Sequence, residues 1–162
     1  MLTRAYLDIE TTGLSRYYAD ITVVGVCIER RGNCEITQLV GDRITTRRLL
    51  AALKGTQILY TYNGTRFDLP FIKAKLGVDL TEHLTHKDLM YYCWRRNLYG
   101  GLKKVEVKLG ITRKTQGIDG RMAVKLWYDY ETYGIRESLA LLLEYNKEDV
   151  LNLRVLRKKL NA

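Results

Sequence analysis

Two carboxylates separated by one residue lie near the N-terminus. Asp8 and Glu10 fall in a run of β-forming residues, where side chains two positions apart point to the same face of a strand. Two adjacent carboxylates repel each other unless a cation lies between them. A second acid-x-acid pair, Asp129 and Glu131, falls in a helical pattern, where side chains two apart do not face each other. The first pair therefore indicates a cation site.

A third acid, Asp149, lies in a predicted C-terminal helix. At about 100° per residue, it falls within the apolar stripe that contains Leu142, Leu153 and Leu156. A charge in that stripe is costly unless a cation or a proton neutralises it. Tyr145 lies one turn earlier on the same side of the helix. A structural ion pair at Asp149, with Tyr145 as an ordinary core residue, is the alternative.

A fourth acid, Asp68, precedes a helix whose first turn contains Pro70. The ordinary role of an acid at this position is to cap the helix. The pair Asn63-Gly64 indicates a turn at the end of the preceding strand. Two strand ends and two helices could therefore bring all four acids to one point.

A basic segment, residues 95–125, carries most of the net charge. It holds nine Lys and Arg and two acidic residues, hence +7 of the total of +9. Four aromatic residues flank its start: Tyr91, Tyr92 and Trp94 just before it and Tyr99 within it. Cations interleaved with aromatic rings suit phosphate contacts and base stacking. An ordinary solvated surface is the alternative.

The elements that must position these residues follow an α/β order. Strand patterns cover residues 4–10, 21–30, 33–41 and 57–62. Helical patterns cover residues 46–54, 70–77, 89–97, 102–109, 119–133 and 136–160. The second strand is apolar on both faces, which predicts a central position. The order predicts an α/β fold with a mixed sheet, and the length suits one domain over residues 1–162.

Composition excludes several classes of protein. The longest strongly apolar run, residues 21–28, is too short to span a membrane. No signal peptide is recognisable, which predicts a cytoplasmic location. Cys27, Cys34 and Cys93 show no Cys-x-x-Cys spacing and are predicted to be free thiols, with a Cys27–Cys34 bridge as the alternative.

Three motifs, taken in order, connect the acids. They are Tyr6-Leu-Asp8-Ile-Glu10-Thr-Thr-Gly-Leu14, Tyr62-Asn63-Gly-Thr-Arg-Phe67-Asp68 and Tyr145-Asn-Lys-Glu-Asp149. This pattern resembles the exonuclease motifs of the DEDDy-type 3′→5′ exonucleases, which belong to the ribonuclease-H-like superfamily. The related DEDDh class has a His five residues before the final Asp, where this chain has Glu144.

Further stretches resemble the stand-alone, YprB-type branch of these enzymes. They are His86-Lys-Asp-Leu, Gly100-Gly-Leu-Lys-Lys-Val-Glu, Leu109-Gly-Ile and Asp119-Gly-Arg. The resemblance extends over residues 4–157. It implies a ribonuclease-H-like mixed five-stranded sheet flanked by helices.

The same resemblance implies a reaction and its residues. The reaction would be hydrolysis of phosphodiester bonds at the 3′ end of single-stranded DNA or RNA, which releases nucleoside 5′-monophosphates. Two divalent cations, Mg²⁺ or Mn²⁺, would be the cofactors. The metal-ligand roles fall on Asp8, Glu10, Asp68 and Asp149, and the role of positioning water falls on Tyr145. A site made only of carboxylates suits these hard ions.

Substrate contacts are implied at further positions. Thr11 and Leu14 match positions that contact the terminal nucleotide, and Asn63 and Phe67 match positions near the substrate strand. Lys103, which follows a pair of glycines, is a candidate phosphate contact.

Two other functions remain open. A catalytically inactive nucleic-acid-binding module would keep the basic segment, but it should have lost an acid. A proofreading subunit would have the same chemistry and a polymerase or repair protein as its partner.

Overall fold

A mixed sheet of five strands forms the centre of the computed structural model, which describes residues 2–162. The strands are β1 (Arg4–Thr11), β2 (Ile21–Arg30), β3 (Asn33–Val40), β4 (Ile58–Thr61) and β5 (Thr85–Asp88). Their spatial order is β3-β2-β1-β4-β5. The pairs β1–β2 and β2–β3 are antiparallel, whereas β4 runs parallel to both β1 and β5. The predicted α/β fold is confirmed, and β2 is an inner strand as expected.

Helices cover both faces of this sheet. They are α1 (Thr46–Ala52), α2 (Asp68–Leu76), α3 (Leu89–Trp94), α4 (Leu102–Lys108), α5 (Gly120–Tyr133) and α6 (Arg136–Leu160). Short 3₁₀ turns lie at Gly41–Arg43 and Leu80–Glu82. The side chains of Asp88 and Asp119 accept hydrogen bonds from backbone amides and cap α3 and α5.

Alternation along β1 divides the core. Ala5, Leu7 and Ile9 point to one face and pack in a cluster with residues of α1 and α2. Tyr6 points to the other face, in a cluster with residues of α3, α4 and α6. Because Asp8 and Tyr6 are two residues apart, Asp8 faces the side of the sheet that α6 covers.

The cysteine prediction is wrong for two residues. Cys27 on β2 and Cys34 on β3 form a disulfide, with a Cα–Cα distance of 6.1 Å. Cys34 lies opposite Glu29 in the antiparallel pair, so the two cysteines are diagonal neighbours on one face. That proximity depends on the register of the hairpin. Cys93 is a free, buried thiol, as predicted.

The strand patterns in the sequence predict four strands and do not include β5. Its sequence, Thr-His-Lys-Asp, has neither an apolar run nor apolar alternation. Pairing with β4 alone defines it. Along the described residues, 2–162, no helix has the length and apolar character needed to cross a membrane.

Candidate active site

Three carboxylates from β1 and α6 meet on one face of the sheet. Asp8, Glu10 and Asp149 each offer an oxygen, and these three oxygens lie within 4.8 Å of one another. Strand alternation places the first two on the same side, as predicted. Helix α6 crosses that side and contributes Asp149, which is buried at the apolar interface with the sheet.

Asn146 connects α6 to β1 beside this cluster. Its Nδ2 donates to the backbone carbonyl oxygen and to Oδ2 of Asp8, both at 3.2 Å. Its Oδ1 accepts a hydrogen bond of 2.9 Å from Gln38. A Cβ atom at Gly25, which pairs with Asp8 across the sheet, would lie 2.2 Å from this Oδ1. Sequence analysis did not predict a role for Asn146. Its position one helical turn before Asp149, towards the sheet, is the signal that could have indicated it.

Asp68 adjoins the cluster from α2. It is the first residue of that helix and does not occupy the N-cap position, which belongs to Phe67, so the capping alternative is wrong. Instead, Asp68 Oδ1 accepts a hydrogen bond of 3.0 Å from the backbone amide of Ile9. Ile9 lies between Asp8 and Glu10, so this bond fixes the fourth carboxylate against the same stretch of β1.

Crowding and burial favour the protonated forms of these acids. Burial, together with the charges of Asp149 and Glu10, raises the pKa of Asp8 well above its usual range. Burial and the charge of Asp149 raise the pKa of Glu10 to about 8. Burial raises the pKa of Asp68 to about 7, and it also raises that of Asp149.

Glu10 also carries an unsatisfied acceptor. Its Oε1 is buried and has no hydrogen-bond partner within residues 2–162. A buried acceptor without a donor is costly, and a cation would relieve both this cost and the repulsion among the acids. The donor set therefore fits a divalent cation.

Tyr145 lies on α6, one turn before Asp149. Lys103 Nζ donates to the Tyr145 hydroxyl at 2.5 Å and lies 4.5 Å from the centre of its ring. Burial and the charge of Asp149 raise the pKa of Tyr145 above its usual value. The hydroxyl therefore stays protonated and has its own proton to donate.

Arg113 is a second residue beside the carboxylates that the sequence did not predict there. Its Nη2 donates to Asp149 Oδ1 at 2.5 Å, and its Nη1 donates to both carboxylate oxygens of Glu106 at 2.7 and 2.9 Å. The ion pair that was the alternative for Asp149 therefore exists. The interpretation of Arg113 as one of the solvated or phosphate-binding cations of residues 95–125 is wrong, because its side chain is only 9% exposed.

A cleft of about 680 Å³ opens above the carboxylates. Every residue predicted for the site lines it: Asp8, Glu10, Thr11, Leu14, Asn63, Phe67, Asp68, Lys103, Tyr145 and Asp149. The cleft is also lined by Tyr62 and Arg121, which belong to the quoted motifs but were not predicted as site residues, and by Val124. The cleft is open at the rim, where the side chain of Leu14 is 89% exposed.

Sequence comparison relates nearly the whole chain to one superfamily. A profile of the RNase H superfamily matches residues 5–161. The chain is also 26% identical over 122 residues to a DNA polymerase of Methanocaldococcus jannaschii. That match covers 74% of this chain and 6% of the polymerase, so the chain spans only a small part of that relative.

Solved structures share the fold. The family B DNA polymerase from Pyrobaculum calidifontis superposes with a TM-score of 0.73 at 18% identity, over 99% of this chain and 25% of that one. Brucella melitensis NrnC with bound Mg²⁺ superposes with a TM-score of 0.65 at 20% identity, over 99% of this chain and 73% of that one.

Proposed function

The chain belongs to the RNase H superfamily, and from that premise we propose that it is a metal-dependent 3′→5′ exonuclease of the DEDDy type, in the stand-alone, YprB-type branch. It hydrolyses phosphodiester bonds of single-stranded DNA or RNA from a free 3′ end and releases nucleoside 5′-monophosphates. The observation that supports this proposal best is the meeting of Asp8, Glu10 and Asp149 in a cleft that Asp68 and Tyr145 also line.

Asp8, Glu10, Asp68 and Asp149 would hold two divalent cations. The buried, unpartnered Oε1 of Glu10 and the oxygen-only donor set suit Mg²⁺ or Mn²⁺. When bound, two such ions supply activation of a water and stabilisation of the leaving 3′ oxygen.

Two side chains, those of Tyr145 and Lys103, act on the reacting groups in addition to the metal ions. The Tyr145 hydroxyl accepts the Lys103 hydrogen bond and keeps its own proton, so it can orient the attacking water by donating to it. The ammonium group of Lys103 lies in the cleft, where it offers a positive charge to a substrate phosphate.

The remaining cleft residues suit a nucleotide. Leu14 and Phe67 offer apolar surface to a base, and Thr11 and Asn63 lie beside them in the same cleft. Leu14 is at the rim, where a terminal base could contact it without displacing core residues.

The comparisons support one second candidate. Because the chain resembles part of two DNA polymerases, the same chemistry could serve as the proofreading subunit of a polymerase assembly. Pull-down with the tagged chain would recover a polymerase in that case. A catalytically inactive binding module is disfavoured, since all four acids lie in the cleft.

The test is cleavage of 5′-labelled single-stranded DNA and RNA with Mg²⁺, with Mn²⁺ or with EDTA. We expect one-nucleotide ladders from the 3′ end with either metal ion and intact substrate with EDTA. Asp149→Asn should abolish the ladder while the protein stays folded in a thermal melt. Asp129→Asn is the matched control, because Asp129 pairs with Lys125 on α5 outside the cleft. Equal cleavage in EDTA, or cleavage only from the 5′ end, would refute the proposal.

A further inference from the structure

Arg113 joins the candidate metal site to a second, fully buried acid. Its guanidinium group contacts Asp149 on one side and Glu106 on the other. The Glu106 side chain is 0% exposed and also accepts a hydrogen bond of 3.1 Å from Asn152 Nδ2. The planar guanidinium thus holds two carboxylates in one fixed geometry, which a lysine cannot do.

The loop that carries Arg113 is itself attached to α6. The Glu148 carboxylate accepts hydrogen bonds from the backbone amides of Lys114 and Thr115 and from the Thr115 hydroxyl. Asn152 Nδ2 also lies 3.4 Å from the carbonyl oxygen of Thr112, with which it can share its hydrogen bond. Helix α6, which carries Asp149, therefore also fixes the backbone before and after Arg113.

Only one oxygen of Asp149 is engaged by the guanidinium, namely Oδ1. We propose that Arg113 is a positioning residue, which uses Oδ1 to fix the rotamer of Asp149 and so directs the carboxylate towards the metal-binding oxygens of Asp8 and Glu10. Glu106 holds Arg113 in place and balances its charge. This inference rests on the proposed metal-dependent function, because the positioned group is a metal ligand.

A purely electrostatic effect of Arg113 would have the opposite sign. A positive charge beside Asp149 repels a divalent cation, so its removal alone should strengthen metal binding. Loss of positioning should weaken metal binding, because ligands lose their orientation when their hydrogen-bond partners are removed. The change in metal affinity therefore distinguishes the two effects.

The experiment measures Mn²⁺ binding to metal-free protein by isothermal titration calorimetry, so that it does not depend on activity. The central variant is Glu106→Gln/Arg113→Gln, which removes one negative and one positive charge and keeps the net charge of the chain. We expect its Mn²⁺ affinity to fall roughly tenfold or more relative to wild type. In the Asp149→Asn background the same pair of changes should cause no further loss, since Arg113 acts through Asp149.

Arg113→Lys is the second variant and guards against loss of folding in the double variant. It keeps the charge without the two-sided contact, so its Mn²⁺ affinity should lie between those of the wild type and the double variant. If the wild type binds Mn²⁺ and the folded double variant binds it equally well or more tightly, the inference is overturned and the proposed function stands. An equal loss in the Asp149→Asn background would also overturn it, by showing a general structural effect. A wild type that binds no Mn²⁺ and cleaves no substrate would overturn the proposed function together with this inference.

Discussion

Tyr145 has one environment for its ring and another for its hydroxyl. The ring belongs to a buried cluster with Val23, Leu126 and Leu142, as expected of a core residue. The hydroxyl lies in the cleft and accepts the hydrogen bond from Lys103. Packing alone does not require that hydroxyl, so a change that removes only the oxygen separates the two roles.

Tyr145→Phe should therefore spare the fold and slow the reaction. The loss of one hydrogen bond costs about 1 kcal/mol of unfolding free energy. If the hydroxyl orients the attacking water, turnover should fall roughly 10²-fold. The measurement is single-turnover cleavage with enzyme in excess, so that product release does not limit the rate. Tyr60→Phe is the matched control, since the Tyr60 hydroxyl bonds to the Ala162 carbonyl oxygen away from the cleft. A Tyr145→Phe protein that binds metal ions and cleaves at the wild-type rate would remove Tyr145 from the mechanism.

Sequence periodicity grouped three of the four acids, the motif resemblance added Asp68, and neither indicated the residues that hold them. Strand alternation paired Asp8 with Glu10, and helical spacing aligned Tyr145 with Asp149. Arg113, however, is 36 residues from its partner Asp149. No local pattern separates such an arginine from the exposed cations around it, because its burial depends on how the loop folds back onto α6.

Helix α6 is the element that assembles the site. It carries Tyr145, Asn146 and Asp149 on the side that packs against β1 and β2. The contact is close at Gly25, where the absence of a side chain leaves room for the Asn146 amide. A glycine in a strand interior often marks such a close approach.

Gly25→Ala should therefore disturb both stability and catalysis. A methyl group at this position would have to displace Asn146, which bonds to Asp8. We expect a loss of about 1–3 kcal/mol in unfolding free energy and a marked decrease in cleavage rate. Urea unfolding and the cleavage assay measure these two effects. In Gly25→Ala/Asn146→Ala the steric conflict is gone, so part of the stability should return while cleavage remains slow. Unchanged stability of Gly25→Ala would show that Asn146 can move at no cost.

Elements with strong local patterns were predicted well, and elements defined by pairing were not. The observed bounds of β2 and α6 equal the predicted ones, because each has a continuous pattern with clear ends. Strand β5 has polar residues and exists through its pairing with β4. The Cys27–Cys34 disulfide similarly depends on the cross-strand register of β2 and β3, which the spacing of two cysteines does not reveal.

The net charge of the whole molecule is opposite in sign to that of the carboxylate cluster. The chain has a net charge of +9, yet four carboxylates converge in the cleft of the candidate site. Lys103 reaches into that cleft, and Lys104 is exposed beside it on α4. Lysines beside an acidic centre suit a polyanionic substrate whose cleaved bond must approach the carboxylates.

Lys103→Ala/Lys104→Ala should therefore weaken binding of single-stranded DNA and flatten its dependence on salt. Each lost phosphate contact lowers the slope of log K against log salt by about 0.7 for a single strand. Fluorescence anisotropy in an Asp149→Asn background measures this slope without consuming the substrate. Lys158→Ala/Lys159→Ala removes the same charge at the exposed end of α6 and should change the slope less. Equal slopes in the two double variants would assign Lys103 and Lys104 to an ordinary solvated surface.

The unfolding free energy of the whole metal-free protein should depend on pH through the same cluster. Folding raises the pKa of Glu10 to about 8 and that of Asp68 to about 7, chiefly by burial, whereas both groups titrate near 4 in an unfolded chain. The folded state therefore binds more protons above pH 4, and stability falls as pH rises through 7 and 8. For these two groups the expected loss of unfolding free energy between pH 6.5 and 8.5 is about 2–3 kcal/mol, measured by urea unfolding in EDTA. His86 adds little in this window, because burial lowers its pKa and its effect lies at lower pH.

Two variants and Mn²⁺ binding test whether this pH dependence arises from the carboxylate cluster. Glu10→Gln removes one of the carboxyl groups with a raised pKa, so the stability of this variant should change less between pH 6.5 and 8.5. Glu144→Gln is the matched control, since Glu144 is exposed on α6 and should keep the wild-type dependence. Saturating Mn²⁺ should restore stability most strongly at pH 8.5, where more of the carboxylates have lost their protons and are available as ligands. Equal stability of the metal-free wild type at the two pH values would show that the four acids do not share a buried, mutually repelling site.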